Sequence, residues 1–300
     1  MGPVLLTEID NFNLYLRYER RLSPHTVLAY LTDLQQMAAY LETTYGIRDC
    51  SAVTAIHLRS WLSELKGRGM GNRSLKRKIA ALNTFFQYLM AQVKTAANPS
   101  GHLLLPKTDK PLPKFLSEKQ TEGLIGEWPP DDDFEAWTQR LIIELLYQTG
   151  MRRAELIGLK GKDIDYSIGR LQVFGKGGKM RLIPLNGNLL KKLNHYIGLK
   201  NNKFVLPVEN VLSLSSGKPL YPQYVYRTVK RYLSAVTTLD KKSPHVLRHT
   251  FASQLLNNGA DLMAIKELLG HQSLAATQVY THLNIERLKE VYEKAHPKAK

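Results

Sequence analysis

The chain has 300 residues, 43% hydrophobic and 23% charged, which is enough for a sizeable core and for two domains. Its 42 lysines and arginines against 26 acidic residues give a formal charge of +16, which predicts a polyanionic partner: nucleic acid first, an acidic membrane surface second. No apolar run approaches the roughly 20 residues of a membrane span, and no signal-peptide pattern opens the chain, so we expect a cytoplasmic protein. Cys50 is the single cysteine, which excludes an internal disulfide and a cysteine-based zinc site.

The first hundred residues are predicted to be all-helical. In "LSPHTVLAYLTDLQQMAAYLE", Ser23 is placed to cap a helix whose first position is Pro24. A second helix is predicted from Ile56 towards Leu65. In "NRSLKRKIAALNTFFQYLM" the apolar residues recur at helical spacing and form one stripe: Leu75, Ile79, Leu82, Phe86 and Leu89.

Four basic residues lie near the start of that third helix: Arg73, Lys76, Arg77 and Lys78. Cations at a helix start are not favoured by the macrodipole, so the cluster is a candidate contact to a DNA backbone. The alternative is an ordinary solvated polar face.

The boundary between two domains is predicted in "PSGHLLLPKTDKPLPK", residues 99–114, because four prolines and three lysines without periodicity are typical of an extended connection. We therefore predict a helical N-terminal domain over residues 1–98, a linker over 99–114 and a second domain over 115–300.

The second domain is predicted to be mainly α with a small antiparallel sheet. "RLIIELLYQTG" indicates an apolar helix that ends at Gly150, and "RLQVF" and "MRLIPL" flank "GKGGK" as a β-hairpin. Later helices are predicted near residues 189–199 and 221–235, and from positions 243, 261, 273 and 285. The aspartates 131–133 are expected to precede a helix and to cap it.

The stretch "SPHVLRHT" combines helix-start signals with cations. Ser243 is placed to cap the helix and Pro244 to occupy its first position, so His245 and Arg248, three residues apart, share one face. Together with the free N–H groups of a first helical turn they could bind an anion. The helical spacing predicts that Leu247, Phe251 and Leu255 are buried in the core. The polar face of the helix would then be directed away from the core. Taken alone, a His-x-x-Arg pair also occurs by chance on the polar face of many exposed helices.

Other segments add residues of the same chemistry. Arg152 follows the helix stop in "TGMRRAELIGL", Lys176 lies in the hairpin turn, His271 follows Gly270 in "LLGHQSLAATQVYTH", and Tyr280 lies nine residues further on. Other interpretations exist, because His271 and His282 could ligate a metal and Tyr280 could be a core aromatic.

These pieces together resemble the tyrosine recombinase (phage integrase) family, and in particular its Xer-type bacterial members. The matching residues are Thr149-Gly150-Met151-Arg152 with Glu155-Leu156, Lys176, His245-x-x-Arg248-His249, Leu268-Leu269-Gly270-His271 and Tyr280, in the family's order and spacing. The helical N-terminal half and the ending "VYEKAHPKA" are also similar. Ala154 departs from the family pattern, in which a serine is frequent at this position.

The resemblance implies catalytic roles for six residues. Tyr280 would be the nucleophile, Arg152 and Arg248 would clamp the phosphate, and Lys176 would protonate the leaving 5′ oxygen. His245 would act as acid or base and His271 would donate a hydrogen bond to the phosphate. Arg153 is a candidate surface or DNA-backbone residue, and His249 is expected to be structural or to support the neighbouring site residues. No metal and no cofactor are expected, and the sequence contains no Walker A, Gly-x-Gly-x-x-Gly or His-Glu-x-x-His motif.

The same resemblance implies a site-specific recombinase whose SAM-like N-terminal domain and catalytic domain close as a clamp around DNA. Strand exchange would use four protomers, identical or shared with a second related recombinase, and would pass through a Holliday junction; the final helix, near residues 285–295, would couple protomers. Resolution of chromosome dimers is the first hypothesis for the role. The alternatives are the integrase of a mobile element and a DNA-binding protein that has lost catalysis.

Overall fold

The structure, a computed structural model, describes residues 4–104, 115–124, 127–175 and 180–270, together with residue 295. The chain forms two compact units, Met1–Pro111 and Leu112–Lys300. No helix in the described ranges has both the length and the apolar character that crossing a membrane requires.

The first unit is helical throughout its described part, which confirms the prediction for this half of the chain. Its α-helices are α1 (Leu5–Leu14), α2 (Pro24–Tyr45), α3 (Ala55–Gly67) and α4 (Asn72–Ala91), and a π-helical turn over Tyr15–Glu19 follows α1. The predicted start of α2 is confirmed, since the Ser23 side chain accepts a hydrogen bond from the Thr26 amide and Pro24 opens the helix.

The core of the first unit is aromatic and aliphatic. Phe12 of α1 packs edge-on against Phe85 of α4 at a ring distance of 5.3 Å, and the predicted apolar stripe of α4 is buried along its whole length. Each such fully buried side chain contributes about 1.5–3 kcal/mol relative to its exposed state. Cys50 lies in this core, 1% exposed, and burial raises the pKa of its thiol to about 12. Leu103 also packs into this core, so the first residues of the predicted linker contact the first unit.

The second unit is mainly α with one small sheet, as predicted. Its helices are α5 (Glu118–Leu124), α6 (Phe134–Thr149), α7 (Arg153–Gly158), α8 (Gly187–Lys203), α9 (Pro222–Val236), α10 (Pro244–Asn257) and α11 (Leu262–Leu269). The central α6 is buried on nearly all sides, packs against α8, α9 and α10, and begins at Asp133, whose carboxylate accepts from the Ala136 amide. The predicted capping aspartate is therefore confirmed.

The sheet has three antiparallel strands, β1 (Ile164–Asp165), β2 (Arg170–Phe174) and β3 (Met180–Pro184), in the order β1-β2-β3. The predicted hairpin is confirmed by the pairing of β2 with β3, in which Leu171 lies opposite Ile183. The short strand β1 was not predicted. Helix α11 packs against both β3 and α10, which brings the end of α11 close to the sheet.

Candidate active site

The turn after α6 joins two of the predicted catalytic segments. Gly150 caps α6 with a φ of 60°, and a Cβ atom at this position would lie 2.5 Å from Cδ1 of Phe251 on α10. Only glycine fits both the left-handed backbone and this close approach. The Gly150 carbonyl accepts a hydrogen bond of 2.6 Å from Nη1 of Arg248. The end of α6 is thus anchored to α10, two residues before Arg152.

Arg152 occupies the N-cap position of α7 and is held by Glu155. Its backbone N–H donates to Oε2 of Glu155 at 2.7 Å, and its Nη1 donates to Oε1 at 2.9 Å. Its Nη2 donates to the Gly270 carbonyl at 3.3 Å. The side chain remains 34% exposed, so part of the guanidinium can still meet a ligand. A charged fork that is fixed on one side and open on the other suits a phosphate.

Arg248 is buried rather than solvent-exposed. Only 7% of the residue is accessible, and its Nη2 donates to the Leu269 carbonyl at 2.6 Å. The expectation that this face of α10 is directed away from the core is wrong for Arg248, because α6 and the end of α11 enclose it. Burial, followed by repulsion from Arg152 and Arg181, lowers the pKa of Arg248 to about 10, so it stays cationic at neutral pH.

His245 lies in the first turn of α10 and reaches the surface. Partial burial of the imidazole lowers its pKa below the usual range, and repulsion from His249 and then Arg248 lowers it further. His245 is therefore neutral at pH 7 in the free protein and has a nitrogen that can accept a proton. Ser243 stands at the N-cap position, but its side chain makes no capping hydrogen bond, so that part of the prediction is wrong.

Two further residues complete the arrangement: Glu155, which the motif includes but to which no role was assigned, and Arg181, which no sequence motif identified. Glu155 is 9% exposed and Arg181, on β3, is 3% exposed; Arg181 donates Nη1 to Oε1 and Nη2 to Oε2 of Glu155 at 2.8 and 2.7 Å. Burial alone would raise the pKa of Glu155, but the hydrogen bonds and charge of Arg181, with those of Arg152, hold it below its usual range. The available signal was an arginine inside the apolar strand "MRLIPL".

Backbone carbonyls at the C-terminal end of α11 accept hydrogen bonds from all three arginines. Arg181 donates Nε to the Leu268 carbonyl at 2.8 Å, Arg248 donates to Leu269, and Arg152 donates to Gly270. These carbonyls carry the negative end of the helix dipole, which favours cations there. The backbone immediately before His271 is therefore bound by three guanidinium groups.

An open cleft of about 400 Å³ lies beside Arg152, between α7 and β2. It extends to Phe174 and Gly175, the residue before Lys176. Three predicted catalytic residues, Lys176, His271 and Tyr280, lie outside the described residues. Within the described ranges no cluster of three His, Cys, Asp or Glu side chains has the arrangement of a metal site.

The proposed DNA-backbone residues divide into different environments. Arg153 is exposed and its Nη1 lies 3.5 Å from the Pro222 carbonyl, while Arg73 is exposed on α4. Lys76 is half-buried. Arg77 donates to Asp33 and to the Ala29 carbonyl, although 42% of its side chain is accessible.

Lys78 cannot contact a DNA backbone, which corrects that prediction. The residue is 2% exposed, and its ammonium donates to Asp33 at 2.7 Å and to Gln36 at 2.6 Å. It also lies 5.3 Å from the ring centroid of Trp61. Lys78 faces the interior because it shares the buried stripe with Leu75 and Leu82, three and four residues away.

Comparison with known proteins identifies relatives along the full chain. Residues 114–287 match the model of the phage integrase family, and residues 9–93 match that of the phage integrase N-terminal SAM-like domain. The tyrosine recombinase XerC of Pelobacter propionicus is 38% identical over 297 residues, covering 99% of this chain and 97% of that protein. From Halalkalibacterium halodurans, XerC is 36% identical and XerD 34%, each covering 97% of this chain and 97% and 98% of the respective relative.

Solved structures share the fold. The recombinase XerH bound to its difH substrate superposes with a TM-score of 0.69 at 23% identity, covering 95% of this chain and 83% of that one. A lambda integrase tetramer bound to a Holliday junction gives 0.68 at 20% identity, covering 93% and 81%. At these identities the likeness concerns the fold alone. With the family models and the full-length relatives, it follows that the chain belongs to the phage integrase family of tyrosine recombinases, as its motifs predicted.

Proposed function

We propose that the protein is a site-specific DNA recombinase that cleaves and rejoins strands through a 3′-phosphotyrosyl intermediate and a Holliday junction. The observation that carries this proposal is the convergence of Arg152 and Arg248 at the end of α11, immediately before His271, with His245 close enough for both arginines to repel its proton. Two fixed guanidinium groups and a neutral imidazole form a site suited to a phosphodiester. The formal charge of +16 favours binding of the duplex around it.

The chemistry follows from what these groups can do. The tyrosine hydroxyl has a reference pKa of about 10, so Tyr280 must lose its proton as it attacks phosphorus. The neutral imidazole of His245 can accept that proton. Arg152 and Arg248 stabilise the charge on the non-bridging oxygens, and His271 donates a further hydrogen bond.

The leaving group requires a second proton transfer. The 5′ oxygen departs as an alcohol once Lys176 protonates it, and the phosphorus then remains bonded to the oxygen of Tyr280. This ester preserves the energy of the broken phosphodiester, so attack by another 5′ hydroxyl rejoins the strand without ATP. We assign the stabilisation of charge to the arginines and propose that no metal is required.

We propose that residues 1–98 and 115–300 form two DNA-binding domains that close on a duplex, and that four protomers assemble on two sites. XerC and XerD of one bacterium match this chain almost equally, at 36% and 34% identity, which supports either a homotetramer or a complex with a second recombinase.

The last described residue, Ala295, is buried, and its carbonyl accepts from Asn258 of the same chain at 2.6 Å. Deletion of residues 285–300 should weaken assembly on DNA, and an unchanged tetramer in sedimentation would refute the coupling role.

Resolution of chromosome dimers is the biological role we favour, because the match to relatives named XerC extends over nearly the full length of both chains. The integrase of a mobile element is the second candidate. The observation in its favour is that lambda integrase and a transposon integrase share the fold, with TM-scores of 0.68. Disruption of the gene separates them: failed separation of sister chromosomes supports the first role, and normal separation supports the second.

A trapping experiment tests the chemistry. The full-length protein and a Tyr280→Phe variant are incubated, without ATP and with a chelator present, with a nicked duplex carrying a site selected from bound genomic fragments. Loss of the short strand beside the nick prevents religation, so a covalent adduct accumulates. An adduct with the parent protein alone supports the proposal. An adduct with both proteins, or one that requires added metal, would overturn it, and absence of any adduct despite DNA binding would favour a non-catalytic protein.

A further inference from the structure

Arg181 lies at the centre of the candidate active site without facing the open cleft. It is the second residue of β3, pairs with Val173 of β2, and is 3% exposed. Its three kinds of guanidinium nitrogen are all engaged: Nη1 and Nη2 hold the two oxygens of Glu155, and Nε holds the Leu268 carbonyl. At 3% exposure and outside the lining of the cleft, Arg181 is not placed to clamp a phosphate bound there.

The contacts of Arg181 connect three segments that are distant in sequence. Through Glu155 it reaches Arg152, because the carboxylate oxygens that accept from the Arg181 guanidinium also accept from Arg152, Oε1 from its Nη1 and Oε2 from its backbone N–H. Through the Leu268 carbonyl it holds the end of α11. At Gly270, the residue before His271, a Cβ would lie 3.1 Å from Cδ of Arg181, so the backbone also packs on its stem. Small displacements of Arg181 would therefore move Arg152 and the backbone before His271 together.

The charges around Glu155 give Arg181 a second role. Glu155 orients Arg152, but its negative charge, 2.9 Å from the Arg152 guanidinium, would by itself cancel much of the positive charge offered to a phosphate. Arg181 donates to both oxygens of Glu155, at 2.8 and 2.7 Å, and compensates that charge. Glu155 can thus hold Arg152 in place while Arg152 remains an effective cation.

Stability alone does not account for this arrangement. A buried ion pair offers little net stability over well-packed apolar side chains, since desolvation offsets the attraction. Arg140 of the same unit shows the ordinary case: it is 4% exposed, pairs with Glu144 at 3.2 Å and donates to the Leu124 carbonyl at 2.9 Å. It contacts none of the candidate catalytic segments through these bonds.

On the basis of the proposed recombinase function, we propose that Arg181 is a positioning residue, which sets both the orientation of Arg152 and its effective charge through Glu155. It touches neither the DNA nor the reacting atoms. This predicts that the loss of Arg181 impairs strand cleavage much more than DNA binding.

The test compares full-length variants in the trapping assay, at saturating protein and within a single turnover. Arg181→Met should lower the rate of adduct formation by about 100-fold, the cost expected for a misplaced catalytic group. The affinity for DNA should change less than about threefold, since no phosphate contact is removed. Arg181→Lys keeps the charge but cannot span both carboxylate oxygens and a carbonyl, so its rate should be intermediate.

A double variant isolates the charge effect from general damage. Adding Glu155→Gln to Arg181→Met removes the uncompensated carboxylate but leaves an amide oxygen that can accept from Arg152. The double variant should be about tenfold faster than Arg181→Met alone, a non-additivity that general damage to packing does not produce. If Arg181→Met itself fails to fold, Arg181→Gln, which also lacks the charge, with and without Glu155→Gln provides the same comparison.

Arg140→Met and Arg140→Lys are the matched controls and should alter thermal stability with less than about a threefold change in cleavage by the folded protein. Equal losses at positions 140 and 181, or a double variant slower than Arg181→Met, would overturn the positioning role. An inactive parent protein would instead refute the proposed function, so the two failures are distinguishable.

Discussion

Two buried carboxylates, Asp33 in the first unit and Glu155 in the second, each hold two basic side chains. Asp33 accepts from Lys78 and Arg77 and joins α2 to α4, while Glu155 accepts from Arg181 and Arg152 and joins β3 to α7. In both clusters one cation is enclosed, at 2–3% exposure, and the other reaches solvent. The ion-pair chemistry is therefore similar in the two units.

The clusters differ in what surrounds them. Lys78 lies against the ring of Trp61 and, besides Asp33, donates a hydrogen bond to the neutral side chain of Gln36. Its charge therefore interacts with groups inside the helical core. Around Glu155 there is a third cation, Arg248, whose pKa is lowered to about 10 by burial first and then by repulsion from Arg152 and Arg181. Three backbone carbonyls hold the excess charge in place. One arrangement fastens two helices, whereas the other keeps positive charge concentrated beside an open cleft.

The largest effect is expected from Arg152→Ala. Removing a charged donor to the developing phosphate charge should lower the cleavage rate by about 1,000-fold, because the remaining arginine cannot replace its two-pronged contact. Single-turnover trapping measures this rate. Arg170 is the matched control, since it is 31% exposed and pairs with Asp165 at 3.4 Å. Comparable losses in Arg170→Ala would contradict the distinction between a paired arginine and a catalytic one.

Lys78→Met should act on stability instead. It leaves Asp33 buried with Arg77 as its remaining cation and removes the contact to Trp61, so the free energy of unfolding should fall by about 3 kcal/mol. Urea denaturation of the full-length protein measures this change. The control is Lys94→Met, because Lys94 is 30% exposed where it pairs with Glu8 and should matter less. A large loss of cleavage by folded Lys78→Met protein would erase the contrast between the clusters.

A smaller effect concerns the pH response of His245. Because its pKa is lowered in the folded protein, the unfolded chain binds more protons near pH 6. The contribution of neutral His245 to the free energy of unfolding is fully present above about pH 6.5, the usual pKa of histidine. It is lost as the pH falls from there through the lowered pKa of the folded protein. His249→Gln removes a repulsive charge and should raise the pKa of His245, as measured by NMR of the imidazole. An unchanged or lower value would show that His249 does not influence it.

The smallest effect is expected at the surface of the first unit. If Arg73 contacts a DNA phosphate, Arg73→Gln should reduce the slope of log affinity against log salt by about 0.9. Lys66, exposed on α3, supplies the comparison variant Lys66→Gln. Equal slopes for the two variants would support the alternative of a solvated polar face.

Local patterns accounted for most of the secondary structure. Ser23 with Pro24, Asp133 and Gly150 mark helix ends that depend on neighbouring residues alone, and these predictions are confirmed. The hairpin of β2 and β3 was also readable from two apolar runs around a glycine-rich turn. Helix capping and hairpin formation are short-range effects, which is why a single sequence reveals them.

The partners of buried charges were not readable. Lys78 was predicted to face DNA because its pairing with Asp33, 45 positions away in the chain, leaves no local pattern. The same holds for Arg181 and Glu155, 26 positions apart. Arg152 and Arg248 were recognised as candidates by motif, but their shared anchoring on the last carbonyls of α11 arises from tertiary packing alone.

The burial of Cys50 has a practical consequence. Thiol reagents attack the thiolate, and a cysteine that is 1% exposed with a pKa of about 12 offers almost none near neutral pH. Because the sequence contains no other cysteine, a fluorophore can be attached to an introduced surface cysteine in either unit without replacing Cys50. The natural chain is therefore a convenient starting point for fluorescence measurements of how its two units respond to DNA.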